Sequence, residues 1–293
     1  MRKLFINDQD ERFFREYGYV LKDLIPLDTI EYIKKEFALL KPDDGFAPEQ
    51  SVHNASSYHC TFLDTNSDYK RKVRQLFSEY LMPHIETVLN DYRMLNGSFY
   101  VKPLGKGRLE IHENWCHLQD LSLTSVTAWI PLTSVTRKNG TLEIISGSHK
   151  LVPSISTFGG THYFHDFEQE LEDEFFEPVD MMPGQCIIFD DTLLHYSRDN
   201  SATEPRAAIQ IEIIPREVQP VLYHVDEQNH PGELEMLQVN ADFFLSESKV
   251  SFADLKRKLK SVGMAKNVNR KITIEEFRNL LTAKRKAAKT VTG

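Results

Sequence analysis

The chain has 293 residues, of which 41% are hydrophobic, 27% charged and 11% aromatic, and a formal net charge of −8. Those proportions belong to an ordinary globular protein and exclude disordered, collagenous and fibrous classes. The charge is uneven: residues 249–293 hold 13 Lys and Arg against three acids, so an acidic body precedes a basic tail.

The first 95 or so residues read as mostly helical. Asp28 to Leu40 places Ile30, Ile33, Phe37 and Leu40 at spacings of three and four, the period of a helix face. A second helix is expected from about Tyr69 to Leu89, broken or bent at Pro83, with Val73, Leu76, Phe77, Tyr80 and Leu81 on one side. Between them, Lys41 to Ser57 has the composition of a loop.

From Met94 the period changes to two. Ser98 to Lys102 and Arg108 to His112 alternate around the turn Pro103-Leu-Gly-Lys-Gly107. Ser125 to Leu132 is a further strand, and Thr141 to Ile145 follows the tight-turn pair Asn139-Gly140. Ile187 to Phe189 follows Pro183-Gly184, and Ala207 to Ile214 alternates Ile209, Ile211 and Ile213 with Gln210 and Glu212. Many short strands at regular intervals predict a β-sandwich or barrel core over about residues 96–216. Phe158 to Val179, acidic and rich in aromatics, reads as a loop and a candidate lid.

Two domains are expected, a body over 1–248 and a basic helical appendage over 249–293. Ser251-Phe-Ala-Asp254 and Thr273-Ile-Glu-Glu276 are capping-box starts for two tail helices. Phe252, Leu255, Leu259 and Val262 would form one apolar stripe, and Ile274, Phe277 and Leu281 the other. Docking of these helices on the acidic body is the simpler expectation; an acidic partner such as a carrier protein or anionic lipid is the alternative. No run approaches the roughly 20 apolar residues of a membrane-spanning helix, and no basic stripe interleaved with aromatics marks the body for nucleic acid. Met1-Arg2-Lys3 is basic, but polar residues follow it, so it is not read as a signal peptide. Cys60, Cys116 and Cys186 are widely scattered and form no disulfide framework or metal clip. A cytoplasmic location is expected.

Two of the 11 histidines stand apart. His112 ends a strand in Ile111-His-Glu-Asn114, and residues i and i+2 of a strand face the same way, so His112 and Asn114 can address one point. His195 follows the strand Cys186 to Phe189, and the fold can bring it to the same point. Two imidazoles and one oxygen donor occupy one face of a metal; with a carboxylate as the third donor this is the arrangement of non-haem Fe(II) oxygenases. His117 and Asp120, three apart, would face opposite ways on a strand. His224-Val-Asp226 lies after His195 with no strand, histidine and arginine series behind it. His149, His162 and His165 read as structural or lid residues.

An ordered series connects these residues. His112-Glu-Asn114 is followed by Trp129-Ile-Pro-Leu132, Asn139-Gly140, Ser146-Gly-Ser-His149, Pro183-Gly184, His195-Tyr-Ser197 and Arg206. This series resembles the phytanoyl-CoA dioxygenase family of Fe(II)- and 2-oxoglutarate-dependent oxygenases over Val101 to Arg206. The resemblance implies a double-stranded β-helix (jelly-roll, cupin-like) core with flanking helices, and dioxygen and a small-molecule substrate as reactants. It further implies that His112 and His195 ligate the metal, that Arg206 grips the distal carboxylate of 2-oxoglutarate, that Ser197 adds a hydrogen bond there, and that Trp129 lines the pocket. Lys102, ahead of the first ligand strand, would orient substrate or cosubstrate, or else be solvated.

One departure stands out, because the family's metal-binding Asp is here Asn114. The amide brings no charge, so iron should bind more weakly. Asn114 is then a weaker ligand, or it leaves the position to water or halide, or the site is inactive and the chain is a small-molecule-binding protein. The first reading is adopted, since a dead site has no need of Arg206, Ser197 and Trp129 as a cosubstrate clamp.

Overall fold

Side-chain caps start the N-terminal helices. The structure, a computed structural model, describes residues 2–47, 57–157, 160–246 and 258–291. Asn7 accepts from the amides of Gln9 and Asp10 to begin α1 (Asp8–Tyr17), and Asn66 caps α3 (Ser67–Tyr80) in the same way. Between them lies α2 (Leu27–Leu39). Pro83 sits in the first turn of the short α4 (Met82–Ile85), so of the two expected outcomes the helix is broken there and not merely bent. Part of the expected loop, residues 48–56, lies outside the described residues.

The helices cover one face of a six-stranded antiparallel sheet whose order is β1-β8-β5-β10-β3-β2. Its strands are β1 (Tyr19–Asp23), β2 (His59–Cys60), β3 (Tyr92–Lys102), β5 (Val126–Pro131), β8 (Gln185–Asp190) and β10 (Arg206–Pro215). The N-terminal part is therefore not purely helical, because β1 forms one edge of the sheet by pairing with β8. Ile209, Ile211 and Ile213 of β10 pack with Ile30, Ile33, Val73 and Phe77 in one buried cluster. Alternation then turns Arg206, Gln210 and Glu212 to the opposite face.

A four-stranded sheet of order β4-β9-β6-β7 stands against that opposite face. It comprises β4 (Leu109–His112), β6 (Glu143–Ile144), β7 (Glu177–Pro178) and β9 (His195–Ser197). The two antiparallel sheets form a jelly roll, and residues from both line the cavities between them.

The segment expected as a lid is largely packed. It contains α5 (Glu168–Glu174), and Tyr163, Phe164, Phe167, Leu171 and Phe176 are buried with Ile111 and Tyr196 on the outer side of the small sheet. Among the described residues of this run, only His162 reaches the large cavity between the sheets. Residues 158 and 159 lie outside the described residues.

The chain after β10 builds a third sheet, β11 (Val221–Val225), β12 (Glu233–Gln238) and β13 (Lys260–Lys266), with α6 (Ala241–Ser246) between β12 and β13. Val262 thus lies on a strand, where a helical stripe was expected; residues 247–257 of that stripe fall outside the described residues. The second tail helix forms as expected, as α7 (Ile274–Val291). Its Phe277 and Leu281 are buried in the cluster that holds Ile111 and Tyr196. Lys271 pairs with Asp166 at 2.9 Å, and Arg278 pairs with Glu174, so basic side chains of the tail meet acids of the body. No helix among the described residues is long and apolar enough to cross a membrane.

Candidate active site

β4 and β9 pair so that His112 stands directly opposite His195, with ring centroids 4.1 Å apart. Each ring is fixed by its Nδ1. His112 Nδ1 bonds the carbonyl of Glu110 at 2.7 Å, and His195 Nδ1 that of Leu193 at 2.8 Å. A carbonyl can only accept, so Nδ1 carries the proton and Nε2 keeps its lone pair. His195 Nε2 is buried and has no hydrogen-bond partner. Burial pushes the His112 pKa down to about 4 and that of His195 well down too, the latter aided by the neighbouring imidazole. Both rings are neutral at pH 7, the state that binds a metal.

Asn114 is held from behind. Its Nδ2 donates to Thr127 Oγ1 at 2.8 Å and to Asp191 Oδ1 at 3.2 Å, which uses both amide protons. Its side chain also interacts with the His112 ring, which leaves Oδ1 as the donor atom on the histidine side. Thr127 Oγ1 donates to Asp191 as well, at 2.7 Å, and burial lifts the Asp191 carboxyl to about 6. No spacing or motif in the sequence singles out Asp191. Only the fold shows that its carboxylate backs Asn114. Two neutral imidazoles and one amide oxygen fit a divalent cation, with weaker electrostatic attraction than a carboxylate would give.

A second, smaller pocket adjoins His195 and is lined by Lys102, Trp129, Ser197 and Arg206. Lys102 and Arg206 are opposite each other on β3 and β10, and only 4% and 2% exposed. Neither forms an ion pair with an acid among the described residues. Arg206 donates through Nη2 to the carbonyl of Gly140 and, at 3.3 Å, to Ser197 Oγ, and its guanidinium lies 5.4 Å from the Trp129 ring centre. Its Nη1 bonds no described residue. Lys102 Nζ donates to Ser197 Oγ and to the carbonyls of Ser197 and Arg198. Ser197 gives its own proton to the Gly140 carbonyl at 2.8 Å, so it braces both basic side chains. Burial pushes Lys102 down to about 6, helped by Arg206, and burial alone lowers Arg206 to about 9. A buried guanidinium without a counter-charge, beside an amine that an incoming anion would protonate, suits a carboxylate ligand.

A larger cavity of about 290 Å³ opens on the other side of His112 and Asn114. Gln210, Glu212, Asn96 and Ser98 of β10 and β3 face it, with Trp115, Phe62 and Phe244 among its rings. The sequence carried the signal for Gln210 and Glu212 in their alternation with isoleucines, but not which face was interior.

Apart from His162, which lines the large cavity, the other histidines singled out in the sequence are elsewhere. His117 is buried, with Nδ1 on the Val221 carbonyl at 3.0 Å, and His149 Nε2 meets the Arg15 carbonyl at 3.1 Å. His224 lies on β11 in the third sheet. Asp44, His59 and Asp64 cluster with ligand atoms within 4.8 Å of one another. His59 Nδ1 is already bonded to both Asp44 oxygens at 2.8 and 2.7 Å and Nε2 to the Tyr69 hydroxyl at 2.9 Å. Neither nitrogen is left for a cation, and the cluster ties the β2 region to α3.

A family model for phytanoyl-CoA dioxygenase matches residues 14–208. The chain belongs to the phytanoyl-CoA dioxygenase family. That family comprises Fe(II)- and 2-oxoglutarate-dependent oxygenases, and the match spans α1 through the start of β10, including both histidines and Arg206. Solved structures of similar fold include EctD from S. alaskensis with 2-oxoglutarate and 5-hydroxyectoine, at TM-score 0.56 and 19% identity over 73% of this chain and 78% of that one. The carbocyclase SnoK of nogalamycin biosynthesis matches at TM-score 0.56 and 16% identity, covering 76% and 90%. HygX from Streptomyces hygroscopicus, with nickel, 2-oxoglutarate and hygromycin B bound, matches at 0.51 and 16%, covering 72% and 88%. At these identities the likeness is one of fold.

Proposed function

We propose that this family member is a working Fe(II)- and 2-oxoglutarate-dependent dioxygenase that oxidises, most simply hydroxylates, a small organic molecule. The observation that carries the reading is the facing His112–His195 pair beside the buried Arg206 guanidinium and Lys102 amine, neither paired with an acid among the described residues. His112, Asn114 and His195 would hold iron through Nε2, Oδ1 and Nε2. Arg206 and Lys102 would grip the distal carboxylate of 2-oxoglutarate, with Trp129 beneath the guanidinium and Ser197 bracing both basic side chains. Bound iron, with the cosubstrate, supplies the oxidising power to use dioxygen on an unactivated C–H bond. The protein's share is to orient and to exclude water. The Nδ1 bonds fix both imidazoles as neutral donors, the Asp191–Asn114–Thr127 triad aims the amide oxygen, and the large cavity beside His112 and Asn114 would hold the substrate.

A non-catalytic binding protein on the same jelly roll is favoured by one observation, the uncharged Asn114. Anaerobic titration of the chain with Fe(II) and 2-oxoglutarate separates the two. The oxygenase reading expects a visible charge-transfer band and, on admitting air, succinate formation without added substrate. Absence of both rejects it.

A further inference from the structure

We infer that the substrate is a small organic cation, an amine or quaternary ammonium, seated at the Glu212 end of the large cavity. The inference rests on the oxygenase reading for assigning that cavity to the substrate. The charges along the interior of the large sheet are ordered. Lys102 lies opposite Arg206, Ser98 opposite Gln210, and Asn96 opposite Glu212. Six residues of strand, about 20 Å, separate the cationic end from the Glu212 carboxylate. The small pocket takes the cationic end and the large cavity the anionic one.

No Lys or Arg is among the described residues that line the large cavity. Glu212 Oε2 is buried there without a hydrogen-bond partner. His117 Nε2 stands 3.5 Å from it, behind the cavity wall, and although burial opposes it the Glu212 carboxylate raises the His117 pKa, so the two form a charge pair there. Lys70, 5.3 Å from the Phe62 ring centre, donates to the Phe62 carbonyl and also stands outside the lining. A ligand ammonium beside the partly exposed Glu212 side chain would add a second positive charge to a carboxylate that makes no hydrogen bond through Oε2. Faces of Trp, Tyr and Phe attract such a cation, and Trp115, Tyr58, Phe62 and Phe244 surround the space. An acyl-CoA, as in the family's name, would bring phosphates to a lining that offers them no lysine or arginine.

The test uses three probes of nearly equal shape, cyclohexylamine, cyclohexanol and cyclohexanecarboxylate, titrated at pH 7 into the full chain and followed by ligand-observed NMR. The amine is expected to bind at least fivefold more tightly than the alcohol and the carboxylate more weakly still. Glu212→Gln should abolish the amine's advantage while leaving alcohol binding unchanged, and Glu212→Asp should keep it. Equal binding of amine and alcohol, preference for the carboxylate, or an amine preference that survives Glu212→Gln overturns the inference. Binding of 2-oxoglutarate with Ni(II) is measured on the same samples. Its loss beside a Glu212-dependent amine preference would reject the oxygenase reading and leave the charge of the cavity established.

Discussion

At the scale of single residues, the Asn114 substitution is understood through Asp191. A carboxylate at position 114 would face the Asp191 carboxylate across the contact that Nδ2 now bridges at 3.2 Å. Two carboxylates so close cannot both ionise easily, and one would retain a proton. Asn114→Asp alone should therefore raise divalent-metal affinity only modestly. The double variant Asn114→Asp/Asp191→Asn moves the charge to the metal side and keeps the hydrogen bond, so it should bind Ni(II) at least tenfold more tightly than the single variant. Calorimetric titration with Ni(II) checks the ranking. A single variant as tight as the double would show that Asp191 does not oppose charge at position 114.

Lys102 yields a prediction of definite sign. Its pKa, pushed down to about 6 by burial and by Arg206, leaves the amine mostly neutral at pH 7 before ligand arrives. A bound carboxylate favours the ammonium and raises that pKa. Binding of 2-oxoglutarate at pH 7 should then take up close to one proton, and affinity should fall as pH rises above 6. Calorimetry in buffers of differing ionisation enthalpy measures the uptake, and Lys102→Met should remove it.

At the scale of elements, the Asn139-Gly140 turn matters because it presents a carbonyl to the anion pocket. Gly140 has φ +72°, where a side chain is strained, and an added Cβ would stand 2.5 Å from the Arg198 carbonyl and 3.0 Å from Lys102 Nζ. Its own carbonyl accepts from Arg206 and Ser197. Gly140→Ala should shift both and weaken 2-oxoglutarate binding about tenfold or more, with little change in Ni(II) affinity. Equal losses of the two ligands would instead indicate general disruption.

Much at this scale was legible in the sequence. Alternation marked β3, β4, β5 and β10, and apolar spacing marked α2 and α3, because each buries one face of a regular element. The turn Asn139-Gly140 marked β6, whereas the short strands β7 and β9 have two or three residues each. Such lengths hold no periodic signal and exist only because neighbours pair with them. The supposed lid differed for a related reason: its aromatic run has no period of its own and takes its place from the cluster around Tyr196.

At the scale of the whole molecule, the charge asymmetry reads as packing. The basic tail puts Lys271 and Arg278 against Asp166 and Glu174, yet exposed pairs of this kind contribute little. The apolar contacts of α7 carry the attachment, with Phe277 wholly buried. Phe277→Ala should cost about 3–5 kcal/mol, as large-to-small changes in cores do. Urea unfolding should remain a single transition at a lower midpoint if α7 unfolds with the body. A separate early transition would show that the tail melts alone.

The sequence by itself determined the class of chemistry. The ordered series from His112 through Asn139-Gly140 to His195 and Arg206 needs only residue identity and spacing, because metal ligation and carboxylate binding demand particular side chains. It also determined the helix and strand faces that bury apolar groups. Only the tertiary structure decided what those residues meet. It placed Asp191 behind Asn114, paired Lys102 with Arg206, and set Glu212 about 20 Å away at the other end of the same strand. These are contacts between residues up to about a hundred positions apart. No local period encodes them, and they arise when two sheets close face to face and fix which polar side chains are left inside.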